Sequence, residues 1–161
     1  MQPIIFKAYL DRPFTKDERK SFVKYVRNVA NIEAQIGNAK TKYMSVLSEP
    51  ELTDIKSFCL NSLYKYTNST DIEITQSWLY FSMPGESLHS INHPNSFISG
   101  IFYVNARIAL HNIVFSEIEE TISTGRGDLL LFPSNLLHHE PKNTGNDLKI
   151  SIGFNTTKPI K

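Results

Sequence analysis

The feature that most constrains the fold is a change in the spacing of apolar residues near residue 71. Before this point, apolar side chains recur every three or four residues, which is the repeat of an amphipathic helix. After it they recur at every second residue, as in strands with one buried face. We therefore predict one domain over residues 1–161, with a helical part at 1–70 and a β core at 71–157, because no linker or low-complexity segment separates the two.

Two amphipathic helices are predicted in the first part. A capping box of Thr15 and Glu18 begins the first helix, whose apolar face extends over residues 16–33. Ser48 and Glu51 indicate the start of the second helix. Its apolar stripe consists of Leu52, Ile55, Cys59, Leu63 and Tyr66. We expect both helices to pack against a sheet.

The second part contains several short strands separated by Gly, Asn and Pro turn signals. The first strand carries Ile72, Ile74, Trp78 and Tyr80 on one face and ends at the turn that begins at Met83. Further strands are predicted at 97–105, 109–116, 128–132 and 147–156, and an edge strand at 3–10. Short strands at this spacing favour a sandwich or a jelly roll over βαβ units.

The last of these strands allows two interpretations. Its apolar residues are Leu148, Ile150, Ile152 and Phe154, and they alternate with Lys149, Ser151, Gly153 and Asn155. The polar side could face solvent, as in an ordinary half-buried strand. Alternatively, Lys149 and Ser151 could point into a polar barrel interior and hold an anionic ligand.

Composition excludes several classes of site and partner. A single cysteine, Cys59, rules out an intrachain disulfide and a Cys-rich zinc site, and its place on a helix stripe predicts a core residue. The net charge of +1 gives no sign of a nucleic-acid partner. Because neither a long apolar run nor a signal-peptide pattern is present, we expect a cytoplasmic protein without membrane contact.

All five histidines lie in the β-rich part, and neutral imidazole is the commonest transition-metal ligand. His93 and Asn95 stand in a turn before one strand, and His138 and His139 follow another strand in a loop that Pro133 begins. Together with a cation on the last strand, this is the order required by a non-haem iron(II) site made of two histidines and an oxygen donor.

Four segments resemble the signature of the small 2-oxoglutarate- and iron(II)-dependent oxygenases of phages and marine bacteria. They are Thr75-Gln76-Ser77-Trp78, His93-Pro94-Asn95-Ser96 with Ser99-Gly100, residues 127–134 with His138, and residues 149–155. The resemblance covers residues 72–155, about half of the chain. It implies a double-stranded β-helix, that is a jelly roll, buttressed by the two N-terminal helices.

The resemblance also implies roles for individual residues. His138 corresponds to the distal metal histidine, with His139 as the alternative, and His93 lies in the proximal metal motif. Lys149 stands where such proteins place a cation that pairs with the far carboxylate of 2-oxoglutarate, and Ser151 and Tyr103 would reach the same carboxylate. A lysine lacks the bidentate fork of arginine but keeps its charge.

The proximal motif departs from the family pattern. Its first histidine is replaced by Ile91, and no Asp or Glu follows His93 by two residues. Three outcomes are open at this point. His93 and Asn95 could supply the ligand pair, His89 could replace the lost ligand, or the site could have ceased to bind iron.

The expected function is that of a dioxygenase that uses iron(II) and 2-oxoglutarate to hydroxylate an unspecified substrate. An alternative from another class is a catalytically silent jelly roll that serves as a binding or structural module, and a third is a cupin-like metal protein. For a phage-encoded chain the expected location is the cytoplasm of the host cell. The predicted edge strand would allow pairing into a homo-oligomer.

Overall fold

The computed structural model describes residues 5–10, 44–85, 87–91, 96–104, 112–144 and 149–157, and it describes the backbone alone at residues 88–91. The helix predicted over residues 16–33, with its capping box of Thr15 and Glu18, lies outside the described residues. Those residues contain one α-helix, α1 (Thr53–Thr67), and nine strands. The strands are β1 (Phe6–Tyr9), β2 (Glu73–Ser82), β3 (Leu88–Ile91), β4 (Ile98–Tyr103), β5 (Asn112–Phe115), β6 (Glu120–Ser123), β7 (Asp128–Pro133), β8 (His138–Glu140) and β9 (Lys149–Thr157).

The strands form two sheets. One sheet has five strands in the order β1-β7-β4-β9-β2, and the other has four strands in the order β3-β8-β5-β6. Every paired strand is antiparallel to its neighbour. From β2 to β9 the chain passes between the two sheets at nearly every step, which is the connectivity of a jelly roll. The prediction of a mainly β, jelly-roll architecture agrees with this arrangement.

The two faces of the five-stranded sheet contribute to two separate apolar clusters. One cluster lies between this sheet and α1 and includes Ile55, Cys59 and Leu63 of the helix, so Cys59 is the core residue that its spacing predicts. The other cluster lies between the two sheets, and its members include Ile101, Tyr103, Ile113, Phe115, Leu130 and Phe132. Because both faces are covered, all six residues of β4 are buried.

Helix α1 begins later than the capping-box pattern predicts. Two short 3₁₀ turns precede it, and the second, Pro50–Leu52, leads directly into the helix at Thr53. No side chain caps either start, so the helix start predicted from Ser48 and Glu51 is wrong. The hydroxyl of Thr53 instead donates to the carbonyl of Pro50. Proline fixes its φ angle and lacks an N–H, which favours an extra tight turn here.

The longer strands lie close to their predicted positions, and β1 is at an edge as expected. The predictions missed β3, β6 and β8, which have only three or four residues each. Strands this short show too few alternations to produce a clear period of two. As a consequence His138 begins a strand, where the sequence predicts a loop.

The pairing of β9 decides between the two interpretations of its polar side. Ile150, Ile152 and Phe154 belong to the cluster beneath α1. Lys149 and Ser151 lie on the opposite face, which points toward the second sheet, and both are buried. The interpretation in which this side faces solvent is therefore wrong, because a second sheet covers it.

Candidate functional site

A charged cluster of Lys149, Glu140 and Tyr103 lies in the interior between the two sheets. Lys149 is the first residue of β9 and Glu140 is the last residue of β8, and their side chains are 5% and 8% exposed. The Lys149 Nζ atom lies 3.2 Å from Glu140 Oε2. Since both charges have left water, this pair is held in a medium of low dielectric constant, where each depends strongly on the other.

Tyr103 completes the charged cluster from β4. Its hydroxyl donates to Glu140 Oε1 at 3.3 Å, and its ring lies beside the Lys149 ammonium group. Burial raises the pKa of Tyr103 well above 10.0, and the negative charge of Glu140 raises it further, whereas a hydrogen bond with Thr124 acts in the opposite direction. The phenol is therefore a neutral hydrogen-bond donor at physiological pH.

Ser151 and Tyr80 extend this surface across the five-stranded sheet. In register, Tyr80 of β2, Ser151 of β9 and Tyr103 of β4 form one row across three strands. Side chains at paired positions point to the same face of a sheet, so this row of hydroxyls lines the interior. Burial raises the pKa of Tyr80 to about 12, with a further contribution from Glu140. The row supplies neutral donors beside the buried ammonium group of Lys149.

His138 lies on the same face of β8 as Glu140, two residues earlier. Its ring is 2% exposed and packs against the rings of Phe115 and Phe132, with centroids 5.9 and 4.8 Å away. Nδ1 lies 3.2 Å from the carbonyl oxygen of Leu136. A neutral imidazole must donate from Nδ1 to this carbonyl, which leaves the lone pair on Nε2, the tautomer that a metal ligand needs.

His139, the alternative ligand, lies on the other face of β8. Its side chain is half-buried, and its backbone pairs with Val114 of β5. Successive side chains of a strand point in opposite directions, so only one of the two histidines shares a face with Glu140 and the charged cluster. That residue is His138.

Only part of the predicted proximal motif can be located. His93 and Asn95 lie outside the described residues, as does His111, and His89 belongs to β3 with its side chain outside the described part. The backbone of β3 pairs with β8, and Ile91 stands opposite His138 in register. Strand β3 therefore ends opposite the first residue of β8.

The described residues, taken by themselves, contain no group of three His, Cys, Asp or Glu side chains that could hold a metal ion. Glu140 does not supply the carboxylate that the proximal motif lacks, because one of its oxygens contacts Lys149 and the other accepts from Tyr103. His138 fits an iron site by its burial and its tautomer.

A second, neutral cluster lies farther along the same face of β9. It consists of Ser99, Ser134 and Asn155, all buried. Ser99 Oγ lies 2.8 Å from Asn155 Oδ1 and 3.0 Å from Ser134 Oγ. Ser99 has one hydroxyl proton, so it donates to Asn155 and accepts from Ser134. Gln76, at the exposed rim, accepts from Asn155 Nδ2 at 3.3 Å.

Sequence reasoning missed Glu140, the residue that contacts both Lys149 and Tyr103. The signal was present, because Glu140 follows His138 by two residues and a strand would place both side chains on one face. The sequence pattern instead predicts a loop here, and in a loop residues two apart need not share a face. In the same pattern Tyr80 is only one of the apolar positions of its strand.

Comparisons with known proteins give a clear result for the fold. No family model matches the chain, and a search of curated proteins finds no match. Among solved structures, a viral collagen prolyl hydroxylase from Paramecium Bursaria Chlorella virus-1, in complex with 2OG, is 11% identical with a TM-score of 0.69, and the match covers 99% of this chain and 97% of the hydroxylase.

Two other structures are similar over most of the chain. The epimerase SnoN, in complex with Fe3+, alpha ketoglutarate and nogalamycin RO, is 7% identical with a TM-score of 0.71, covering 96% of this chain and 79% of SnoN. EctD from S. alaskensis in its apoform is 11% identical with a TM-score of 0.68, covering 96% of this chain and 75% of EctD. Among the described residues, no helix has the length and apolar content needed to cross a membrane.

The similarity to these solved structures shows that the chain has the jelly-roll fold that 2-oxoglutarate- and iron(II)-dependent oxygenases share.

Proposed function

We propose that this chain is a 2-oxoglutarate- and iron(II)-dependent dioxygenase that hydroxylates its substrate. The observation that carries the proposal is Lys149, a buried cation on the first residue of β9 that faces the interior of an oxygenase-type jelly roll. Its partner is Glu140, and a buried ion pair by itself contributes little to stability, so the pair favours a role in binding. His138 enters the same interior from β8 and offers an imidazole, a ligand type that a non-haem iron(II) site requires.

His138 is the distal metal ligand in this proposal, and His93 and Asn95 complete the site from the segment after β3. His89 is the alternative source of a proximal ligand, and His139 is the alternative distal ligand. Bound iron(II) and 2-oxoglutarate would together supply the electrons that activate O₂, the oxidant, for hydroxylation of a C–H bond. The apolar rings of Phe115 and Phe132 beside His138 keep water from the ligand and fix its orientation.

Lys149, Ser151 and Tyr103 are proposed to bind the far carboxylate of 2-oxoglutarate. A buried ammonium group and two hydroxyl donors give the charge and the hydrogen bonds that a carboxylate needs when it leaves water. Tyr103 is suited to this role because its buried hydroxyl already donates to a carboxylate, that of Glu140. The three side chains come from two adjacent strands, β4 and β9, whose pairing fixes their spacing.

The wider proposal follows the resemblance to the oxygenases of phages. The chain would act as a single domain in the cytoplasm, that of a host cell if a phage encodes it, with a small-molecule cosubstrate. Pairing through an edge strand such as β1 would give a homo-oligomer. The choice of substrate would depend on the loops that join the strands beside the site.

An anaerobic titration of the metal-free protein with iron(II) and 2-oxoglutarate tests the proposal. We expect the weak visible charge-transfer band of the chelate, and we expect His138→Ala to remove it. His139→Ala is the matched control and should keep the band, since its side chain lies on the other face of β8. Absence of the band from the wild-type protein at millimolar ligand would overturn the proposal.

A second candidate function is a catalytically silent jelly roll that serves as a binding or structural module. One observation favours it: the position in register opposite His138 is Ile91, a side chain that cannot bind a metal. Such a module would take up no iron(II), manganese(II) or cobalt(II) and would bind no 2-oxoglutarate. Metal analysis of the purified protein distinguishes the two candidates.

A further inference from the structure

Glu140 occupies the position that the proposed function assigns to the far carboxylate of the cosubstrate. Its two oxygens contact Lys149 Nζ at 3.2 Å and the Tyr103 hydroxyl at 3.3 Å. These are two of the three side chains proposed to bind 2-oxoglutarate at that end. The chain thus already presents a carboxylate of its own to the carboxylate-binding groups.

The charges of the cluster cannot accommodate a second carboxylate without a change. Lys149 is the one cation of the cluster, and Glu140 matches its charge inside a region that solvent hardly reaches. A dicarboxylate placed beside Lys149 would add a second negative charge to one buried positive charge. Two carboxylates beside the same ammonium group lie close together, and they repel strongly when water does not screen them.

We propose that Glu140 is an internal competitor for the carboxylate-binding position and so determines which 2-oxo acids the site accepts. This inference rests on the proposed function, because it concerns the same site. With Glu140 in place, the distal carboxylate of the ligand must displace Glu140 from Lys149 and Tyr103, so it gains less than it would from unoccupied donors. Removal of the Glu140 charge frees both donors for a dicarboxylic 2-oxo acid.

Calorimetric titration of the wild-type protein, loaded with redox-inert manganese(II), provides the first test. The two probes are 2-oxoglutarate and 2-oxopentanoate, which carries a methyl group in place of the distal carboxylate. We expect the wild-type protein to prefer 2-oxoglutarate by less than about tenfold. A tenfold preference would require that the distal carboxylate gain about 1.4 kcal/mol from its contacts with the protein. A preference of about tenfold or more would overturn the inference.

The second test uses Glu140→Gln, which keeps the shape of the side chain and removes its charge. We expect its affinity for 2-oxoglutarate to rise by about tenfold or more, while its affinity for 2-oxopentanoate stays within about twofold of wild type. Glu120→Gln, an exposed change on β6, is the matched control and should alter neither affinity. If Glu140→Gln fails to fold, the wild-type preference alone decides.

The outcomes separate this inference from the proposed function. Equal affinity of wild type and Glu140→Gln for 2-oxoglutarate overturns the competition but leaves the proposed function intact. Failure of both 2-oxo acids to bind any variant in the presence of manganese(II) overturns the proposed function together with the inference. A gain restricted to the dicarboxylic ligand supports both.

Discussion

Two polar clusters lie on one face of β9, and they differ in the kind of group they bury. The charged cluster is at the first residue of the strand, Lys149, and the neutral cluster is at Asn155. The two positions are six residues apart, which corresponds to about 20 Å along an extended strand. Both clusters are buried between the same two sheets.

This difference indicates that the neutral cluster is structural. The serines and the amide of the neutral cluster satisfy one another across β4 and β9, and neutral hydrogen bonds are the ordinary way to bury polar groups. The charged cluster has no such simple explanation, because a buried ion pair is weak support for stability and an apolar pair of similar size is often as good. A buried ion pair that an apolar pair could replace without loss of stability is a candidate for ligand binding.

The largest expected effect is that of Lys149→Met, which leaves the Glu140 carboxylate buried without its cation. We expect the free energy of unfolding to fall by about 3–5 kcal/mol, as measured by urea denaturation. The double variant Lys149→Met with Glu140→Gln should regain a large part of the loss, since no buried charge then remains.

The matched control is Lys7→Met, which disrupts an ion pair at the surface. Lys7 Nζ lies 3.5 Å from Asp128 Oδ2, and the Lys7 side chain is 46% exposed. Water screens this pair, so its removal should cost no more than about 1 kcal/mol. A similar cost for both lysines would show that burial does not distinguish the charged cluster.

The next effect is that of Asn155→Ala in the neutral cluster. The change removes the acceptor of the Ser99 hydroxyl and should lower the free energy of unfolding by about 1–3 kcal/mol. Because the cluster is remote from Lys149, the affinity for 2-oxoglutarate should stay at the wild-type value. A loss of affinity at full folding would contradict the assignment of the neutral cluster to structure alone.

The smallest effect is a pH dependence that belongs to the charged cluster. The pKa of Tyr103 is raised in the folded state, chiefly by burial and then by the charge of Glu140, whereas an unfolded chain releases the phenol proton near 10.0. The stabilising contribution is therefore complete below pH 10.0 and is lost as the pH rises toward the folded-state pKa. Stability should decline above that pH, by up to about 1.4 kcal/mol per pH unit for this group.

Denaturation curves at several alkaline pH values measure this slope. Tyr103→Phe should show a shallower decline than wild type, because it lacks the titrating phenol. Asn155→Ala should keep the wild-type slope, since no member of the neutral cluster titrates in this range. Parallel slopes for wild type and Tyr103→Phe would show that Tyr103 does not contribute to the decline.

Much of the fold is predictable from the sequence, because long alternating strands and one long helical stripe show a clear period. The positions of β2, β4, β7, β9 and α1 follow from that period. The helix start, the short strands β3, β6 and β8, and the buried state of the polar side of β9 do not. The helix start indicated by Ser48 and Glu51 fails because Pro50 favours a tight turn at the same place. Whether a sheet face is covered depends on elements far away in the chain.

For the site, the alternation along each long strand is enough to show which residue types are available and on which face they lie. The sequence placed Lys149 and Ser151 together on one side of β9, and it drew attention to His138. Only the tertiary structure decided that this side is buried and that Glu140 contacts Lys149. Alternation is a local property of the backbone, whereas the contact between β8 and β9 joins strands of two different sheets, and no pattern within either strand encodes it.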